Sequence, residues 1–421
     1  MRDAPNKSIE TMLLHKEGDD ANKIRAMQHF MSEGAWDDEA VLAQHAKEVN
    51  KDVAERDGVL ILDGSDFPKQ GQDSVGVKRQ YCGELGKVAN CQAGVFLAYA
   101  SRQGYTLLDR RLYLPKEWLE DEAYKERREA CAVPEELSFK SKTELALEMV
   151  KQVHEAGSLS YQWLTCDEFF GRDTAFLDAI SEVATYLAEV PCDTRVWQSR
   201  PETELPEWTG KGRKPSRERL KAGSVQAQRV DKLAHNLPET AWERLSIKEG
   251  SKGPMLADFA CLTVVSVRDG LPGPEQLLIL KRDVFSGEIK YYLSNAAKDT
   301  ALEDFARVSS MRWPIESCFE EGKQELGMGD YQLRSWRGWY HHMTLVILAH
   351  FFLVRLKLRL KDKAPKLSLA QALLLLKASL PQPDFSLEKT IDIVNYYQDR
   401  HESAYQSHRK KRLAQLRLLE Q

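Results

Sequence analysis

Between residues 58 and 193 the chain alternates short apolar runs with amphipathic stretches, the pattern of buried strands joined by helices. Val59-Leu60-Ile61-Leu62 is unbroken and apolar, which predicts a strand buried on both faces. It runs into Asp63-Gly64-Ser65-Asp66, whose residues favour a turn. After a Gly-rich polar stretch up to Gly86, residues 90–101 predict a second strand, and 104–108 with 111–114 a third, edge-like one. The acidic stretch 117–136 reads as a solvated loop or helix. Residues 141–156 predict a helix with Leu145, Leu147, Val150 and Val153 on its apolar side. Residues 160–166 predict a short strand ending at Asp167, 174–182 open another helix, and 184–190 resemble a further strand.

The flanks have other patterns. Residues 1–57 are acidic, with Met27, Phe30, Met31, Trp36, Val41 and Leu42 at roughly helical spacing. Residues 194–256 are polar and carry Pro201, Pro206, Pro215 and Pro238. Three strand-like pieces follow, at 259–267, 276–280 and 290–293. From residue 300 the pattern is helical. The expected divisions are therefore 1–57 (N-terminal helical region), 58–193 (first part of an α/β core), 194–296 (β-rich insertion), 297–360 (second part of the core) and 361–421 (C-terminal helical region). The longest apolar stretch, 343–354, is interrupted by His350. It falls short of the roughly 20 residues of a membrane span and predicts a buried core helix.

Composition narrows the picture only in places. The chain has 421 residues, 42% of them hydrophobic and 29% charged, which suits a folded globular protein. A net charge of -4 excludes a uniformly basic coat but not local basic patches. The 7 cysteines are an odd number without a CxxC pair, which argues against a disulfide scaffold or a zinc knuckle. No apolar leader opens the sequence, so a reducing cytoplasm is the expected location, which the resemblance given below narrows to association with the nucleoid.

Three carboxylates stand out. Asp63 follows a buried strand, where α/β sheets place ligands; a turn-former or helix cap is the plainer reading. Asp167 repeats the pattern and is followed by Gly171. If the two strands were neighbours, their acids would form an oxygen-rich site for a hard divalent cation. In Ser-Ser-Met-Arg-Trp-Pro-Ile-Glu, Pro314 suits a first helical position, and Glu316 and Lys323, seven residues apart, share a helix face. Ile315, Phe319 and Leu326 form an adjacent apolar stripe, and a solvated Glu/Lys pair is the plainer reading here. Asp63 and Asp167 are preferred over Asp66 and Asp173 because each directly follows an apolar run.

Basic residues cluster in two places. Lys69, Lys78, Arg79 and Lys87 lie near Asp63, interleaved with Tyr81, and read either as DNA-backbone contacts or as solvated loop cations. Residues 211–221 carry six basic residues against one acidic: Lys211, Arg213, Lys214, Arg217, Arg219 and Lys221. Against an acidic chain, this loop is the better candidate for gripping DNA. Residues 408–412 are basic as well and read as a DNA contact or a solvated tail. His341 and His342 have no partner at metal spacing, and Trp336 and Trp339 read as packing residues.

The run from Asp63 to Gln92 resembles the first catalytic block of DDE transposases of the insertion-sequence 701 family. Phe67-Pro68-Lys69, Gly71, Ser74-Val75-Gly76-Val77, Arg79-Gln80-Tyr81, Gly83, Gly86-Lys87 and Asn90-Cys91-Gln92 carry the likeness. Thr165-Cys166-Asp167-Glu168-Phe169-Phe170-Gly171 resembles the block of the second acid, with Phe170 where the family more often has Tyr. The third block resembles a Tyr-x-x-Arg-x-x-x-Glu-x-x-x-x-x-x-Lys signature through Arg312, Glu316 and Lys323, with Ser309 at the Tyr position. The likeness runs from about residue 22 to about 359.

The resemblance implies an RNase H-like mixed sheet flanked by helices. It implies Asp63, Asp167 and Glu316 as catalytic acids holding two Mg²⁺ or Mn²⁺ ions, and Arg312 and Lys323 on DNA phosphate. It implies double-stranded DNA as partner, both the element's terminal inverted repeats and the target, with self-association on DNA. Two other readings remain. One is a truncated or domesticated transposase that binds DNA without cutting, suggested by the abrupt start of the chain before residue 22. The other is an RNase H-like nuclease without a role in transposition.

Overall fold

The structure, a computed structural model, describes residues 8–17, 20–208, 210, 213–250, 253–380 and 386–419. Three helices come first: α1 (Ile9–Glu17), α2 (Ala21–Ser32) and α3 (Asp38–Asp52). Four strands follow: β1 (Val59–Pro68), β2 (Lys78–Cys82), β3 (Lys87–Ala100) and β4 (Tyr105–Tyr113). Helices α4 (Lys116–Glu120), α5 (Lys125–Ala130) and α6 (Lys142–Ala156) lead to β5 (Trp163–Cys166). Then α7 (Glu168–Gly171) and α8 (Thr174–Ser181) lead to β6 (Thr185–Val190).

Residues 194–296, expected to be an insertion, hold β7 (Arg195–Trp197), β8 (Thr203–Glu204), β9 (Arg219–Leu220), β10 (Gln228–Arg229), α9 (Val230–His235), β11 (Glu243–Gly250), β12 (Gly253–Arg268), β13 (Leu271–Asp283) and β14 (Ile289–Ser294). Helices α10 (Leu302–Ser310), α11 (Trp313–Glu325), α12 (Trp336–Arg359), α13 (Leu369–Ser379) and α14 (Leu387–Leu419) complete the chain.

The centre of the main sheet runs β4-β3-β1-β5-β6. The first three strands are antiparallel, and β5 and β6 lie parallel to β1. This is the RNase H-like arrangement, with α6 and the α7–α8 pair making the crossovers that parallel strands require. The insertion does not stand apart from it. Strand β14 pairs antiparallel with β6, and β13, β12 and β7 extend the same sheet outward.

Alternation along β1 explains its unbroken apolar run. Val59 and Ile61 enter a core shared with Ile315 and Phe319 of α11 and Trp339, Met343 and Ile347 of α12. Leu60 and Leu62 enter the opposite core, against Leu145, Met149 and Val150 of α6 and Leu177 and Ile180 of α8. With side chains on alternate faces, both faces must be apolar. Each large side chain withdrawn from water this way contributes roughly 1.5–3 kcal/mol. A third core under the insertion joins Val230 and Leu233 to Ala260, Leu278 and Leu293.

Several expectations need correction. Strand β1 does not end at Asp63, because β3 remains paired with it as far as Pro68 opposite Cys91. Ladder hydrogen bonds override the turn preference of Asp-Gly-Ser-Asp. The third, edge-like strand expected from 104–108 with 111–114 is β4, whose pairing with β3 absorbs an irregularity between Leu97 and Ala98. The polar stretch before Gly86 contains a strand, β2. The acidic region 117–136 carries the largely exposed helices α4 and α5 and is anchored at one point: Trp118 is fully buried and its Nε1–H donates to the Val77 carbonyl at 2.9 Å. Met27 and Phe30 are exposed, whereas Met31 and Leu42 are buried.

The apolar segment at 343–354 lies within α12, which is long and apolar enough to cross a membrane by length and composition alone. It packs on β4, α2 and α3 and buries His341, Thr344 and His350, as a core helix does.

Candidate active site

The parallel pairings set the site. Leu62 of β1 lies opposite Cys166 of β5, and Cys166 lies opposite Ala188 of β6. The next residues on the three neighbouring strands are Asp63, Asp167 and Glu189, so three carboxylates form a row across the sheet. Ile61 and Leu187 belong to the core beneath α11, so alternation turns Asp63 and Glu189 toward that helix. Asp167 lies just past the end of β5 and caps α7, its Oδ1 accepting from the Phe169 and Phe170 N–H groups at 3.1 and 3.4 Å.

Helix α11 brings the fourth acid. Pro314 lies at its start, and Glu316 stands in the first turn, where the helix dipole favours a carboxylate. Ile315, Cys318 and Phe319 are buried and hold the helix on the sheet. Arg312, at the helix cap, bridges the two halves of the site. Its Nη2 lies 2.5 Å from Glu316 Oε1, its Nη1 3.6 Å from Asp63 Oδ2, and its Nε 3.6 Å from Glu189 Oε2. Lys290 of β14 donates to Glu189 at 2.8 Å.

Four carboxylates thus face two cations, and their charge is costly. Burial raises the Asp63 carboxyl to about 7, with the charges of Asp167 and Glu316 acting in the same direction against the Gly64 N–H and Arg312. Burial also raises Asp167, against the Phe169 and Phe170 N–H groups and Arg312. Hard, desolvated oxygen donors with excess negative charge suit a divalent cation such as Mg²⁺ or Mn²⁺. As they stand, no three acidic, His or Cys side chains among the described residues are grouped to grip an ion. The Arg312 guanidinium holds three of the four acids instead.

The remaining sequence candidates divide. Lys323 reaches back to β1, its Nζ donating to the Asp66 carbonyl at 3.3 Å and pairing with Glu84. Glu316 and Lys323 therefore both face β1. Lys69 is not a free loop cation: its Nζ donates to the Tyr331 carbonyl at 3.2 Å and sits 3.4 Å from that ring's centroid. Burial lowers its ammonium to about 8. Lys78 pairs with Glu117 at 2.5 Å, while Arg79 and Lys87 are exposed on the β2–β3 ribbon beside the exposed Tyr81.

In the insertion loop, Arg213, Lys214 and Arg217 are exposed, and Lys211 lies outside the described residues. Arg219 and Lys221 are paired with Glu204 and Glu202. Asp66 accepts from the Gly83 N–H, and Asp173 caps α8 and accepts from Thr143, so both have local structural duties. His341 stacks on Trp36 at 3.8 Å and His342 bonds the Gly327 carbonyl, both away from the row.

Glu189 is the residue that sequence reasoning missed. The signal was present, since Thr185–Val190 is apolar apart from one acid near its end. Gly171 explains its placement. A Cβ there would lie 1.9 Å from the Glu189 carbonyl oxygen, so only glycine lets α7 close onto β6.

Comparison with known proteins adds one finding. The family described as DDE superfamily endonuclease matches residues 1–254, more than half of the chain. None of the curated proteins matches it.

Proposed function

The chain belongs to the DDE superfamily of endonucleases, and from that premise we propose that it is a metal-dependent DNA endonuclease and strand-transferase, the transposase of a bacterial insertion sequence of the 701 type. The observation that carries this reading is the row of Asp63, Asp167 and Glu189 on three adjacent strands, with Glu316 and Arg312 above it.

In this reading Asp63, Asp167 and Glu316 hold two Mg²⁺ or Mn²⁺ ions. The bound ions supply an activated attacking oxygen and charge stabilisation for the leaving one. The protein's part is to align the carboxylates, with Arg312 opposing the burial that favours a protonated Asp63, a poor ligand. Exposed Trp313 and Phe169 flank the acids and offer flat surfaces to DNA bases, while Arg79, Lys87, Arg213, Lys214 and Arg217 offer charge to its backbone. Water as nucleophile nicks the end of the element. The freed 3′-hydroxyl then joins that end to target DNA at the same site. Terminal inverted repeats are the expected cleavage sites, copies of the chain are expected to associate on them, and the cytoplasm is the expected compartment.

The test is cleavage of duplexes carrying the element's ends with Mg²⁺ or Mn²⁺. Asp63→Ala, Asp167→Ala and Glu316→Ala should each lose about 10³-fold or more in rate, since a metal's charge is worth several kcal/mol to the transition state. Folding and DNA binding should persist. Retained cleavage in any variant removes that residue from the site, and cleavage indifferent to end sequence favours a general nuclease.

A further inference from the structure

We infer that the Arg312 guanidinium and a divalent cation exclude one another at the carboxylate row, with Glu189 as the residue that positions the guanidinium there. The inference rests on the metal-dependent reading above and goes beyond it by assigning roles to two groups outside the three acids.

All three nitrogens of Arg312 are committed. Nη2 faces Glu316, Nη1 faces Asp63 and Nε faces Glu189. Two of these partners are the acids a cation needs. A guanidinium already neutralising them competes directly with an added ion for the same oxygens. Glu189 is buried and is itself held by Lys290, so it is a fixed anchor on the far side of the row. Without Arg312, Asp63 and Glu316 would lose the cation that neutralises them, leaving Lys290 bonded to Glu189 alone.

The consequence is a linkage. A cation that takes over Asp63 and Glu316 leaves the guanidinium without those partners and free to meet a phosphate. The same logic runs in reverse, because two mutually exclusive ligands weaken each other equally. Arg312 thereby makes loading with metal and gripping of DNA interdependent.

The experiment is calorimetric titration of the full chain with Mn²⁺ in the absence of DNA. Arg312→Gln removes the competitor and should bind Mn²⁺ at least about tenfold more tightly, an effect of ~1.4 kcal/mol. Its melting temperature should fall below that of wild type in chelator and rise more on adding Mn²⁺. A variant that folds only with Mn²⁺ present is the extreme of the same shift. Glu189→Gln should loosen the guanidinium from the row and so tighten Mn²⁺ binding in the wild-type background, and change nothing in the Arg312→Gln background.

Unchanged or weaker binding by Arg312→Gln, with binding still lost in Asp63→Asn, overturns the inference alone. No Mn²⁺ binding by wild type or Arg312→Gln defeats the metal-dependent reading and the inference with it. Equal weakening by Glu189→Gln in both backgrounds makes Glu189 a ligand and removes its positioning role.

Discussion

Gly171 lies so close to Glu189 that a single methyl group cannot fit between them: a Cβ on Gly171 would stand 1.9 Å from the Glu189 carbonyl oxygen. The obstacle is backbone rather than a flexible side chain, so relief requires α7 to move off β6. Asp167 caps α7 and moves with it. Gly171→Ala should therefore destabilise the protein by roughly 1–3 kcal/mol, the usual cost of overpacking. It should also lower metal-dependent cleavage beyond what the stability loss explains. Urea midpoints beside cleavage rates at a temperature where the variant is folded check both parts. An unchanged midpoint would show that α7 adjusts freely.

The identity of the metal is a second check. Oxygen donors accept Mg²⁺, Mn²⁺ and Ca²⁺ alike, but the looser coordination of Ca²⁺ poorly matches in-line displacement between two ions. DNA binding with Ca²⁺ should match that with Mg²⁺, while turnover with Ca²⁺ is small or nil. Cleavage that survives thorough chelation would rule out the metal-dependent mechanism.

Salt dependence tests the insertion loop. With Arg219 and Lys221 already paired to Glu204 and Glu202, the exposed Arg213, Lys214 and Arg217 remain to meet phosphates. Each phosphate neutralised on duplex DNA contributes a log–log salt slope of about -0.9. Replacing all three with Ala should make the slope shallower by about two to three units if each meets one phosphate, equally for element ends and unrelated duplex. An unchanged slope would send the search to Arg79 and Lys87.

Acid stability depends in part on His45. Its Nε2–H donates to the Leu107 carbonyl at 2.8 Å, the ring meets Phe351 edge-on, and Nδ1 is buried without a partner. Burial, helped by the nearby His350, lowers this imidazole to about 4. The unfolded chain protonates the same group near pH 6.5, so the unfolded state binds the extra proton first. Stability from the neutral ring is present above pH 6.5 and is lost as the pH falls toward 4, by on the order of 3 kcal/mol. His45→Gln should flatten the decline over that window, measured by urea unfolding at stepped pH. An equally steep decline would assign it to other groups.

The sequence made the strands of the core and their two acids legible because Val59 to Leu62 and Trp163 to Cys166 are apolar on both faces. Such runs have few alternatives to a buried parallel sheet. The Glu316 helix was legible from its proline and apolar stripe. What escaped was long-range. The pairing that carries β1 past Asp63 to Pro68 depends on β3, more than twenty residues away. Lys69 looked like a loop cation because its partner, Tyr331, is 262 residues distant. Glu189 was hidden for a related reason: its place becomes evident only once β6 is known to lie beside β5 in a fixed register.

That register reaches past the core. Tyr292 of β14 stands opposite Glu189, and Lys290, two positions back, points to the same face and bonds it. Strand β14 cannot slip by one residue without sending Lys290 to the opposite face. A foreign insertion grafted at residue 194 would need an even-numbered match on that rung. The sheet beyond the core thus carries a parity constraint written by the chemistry at its centre.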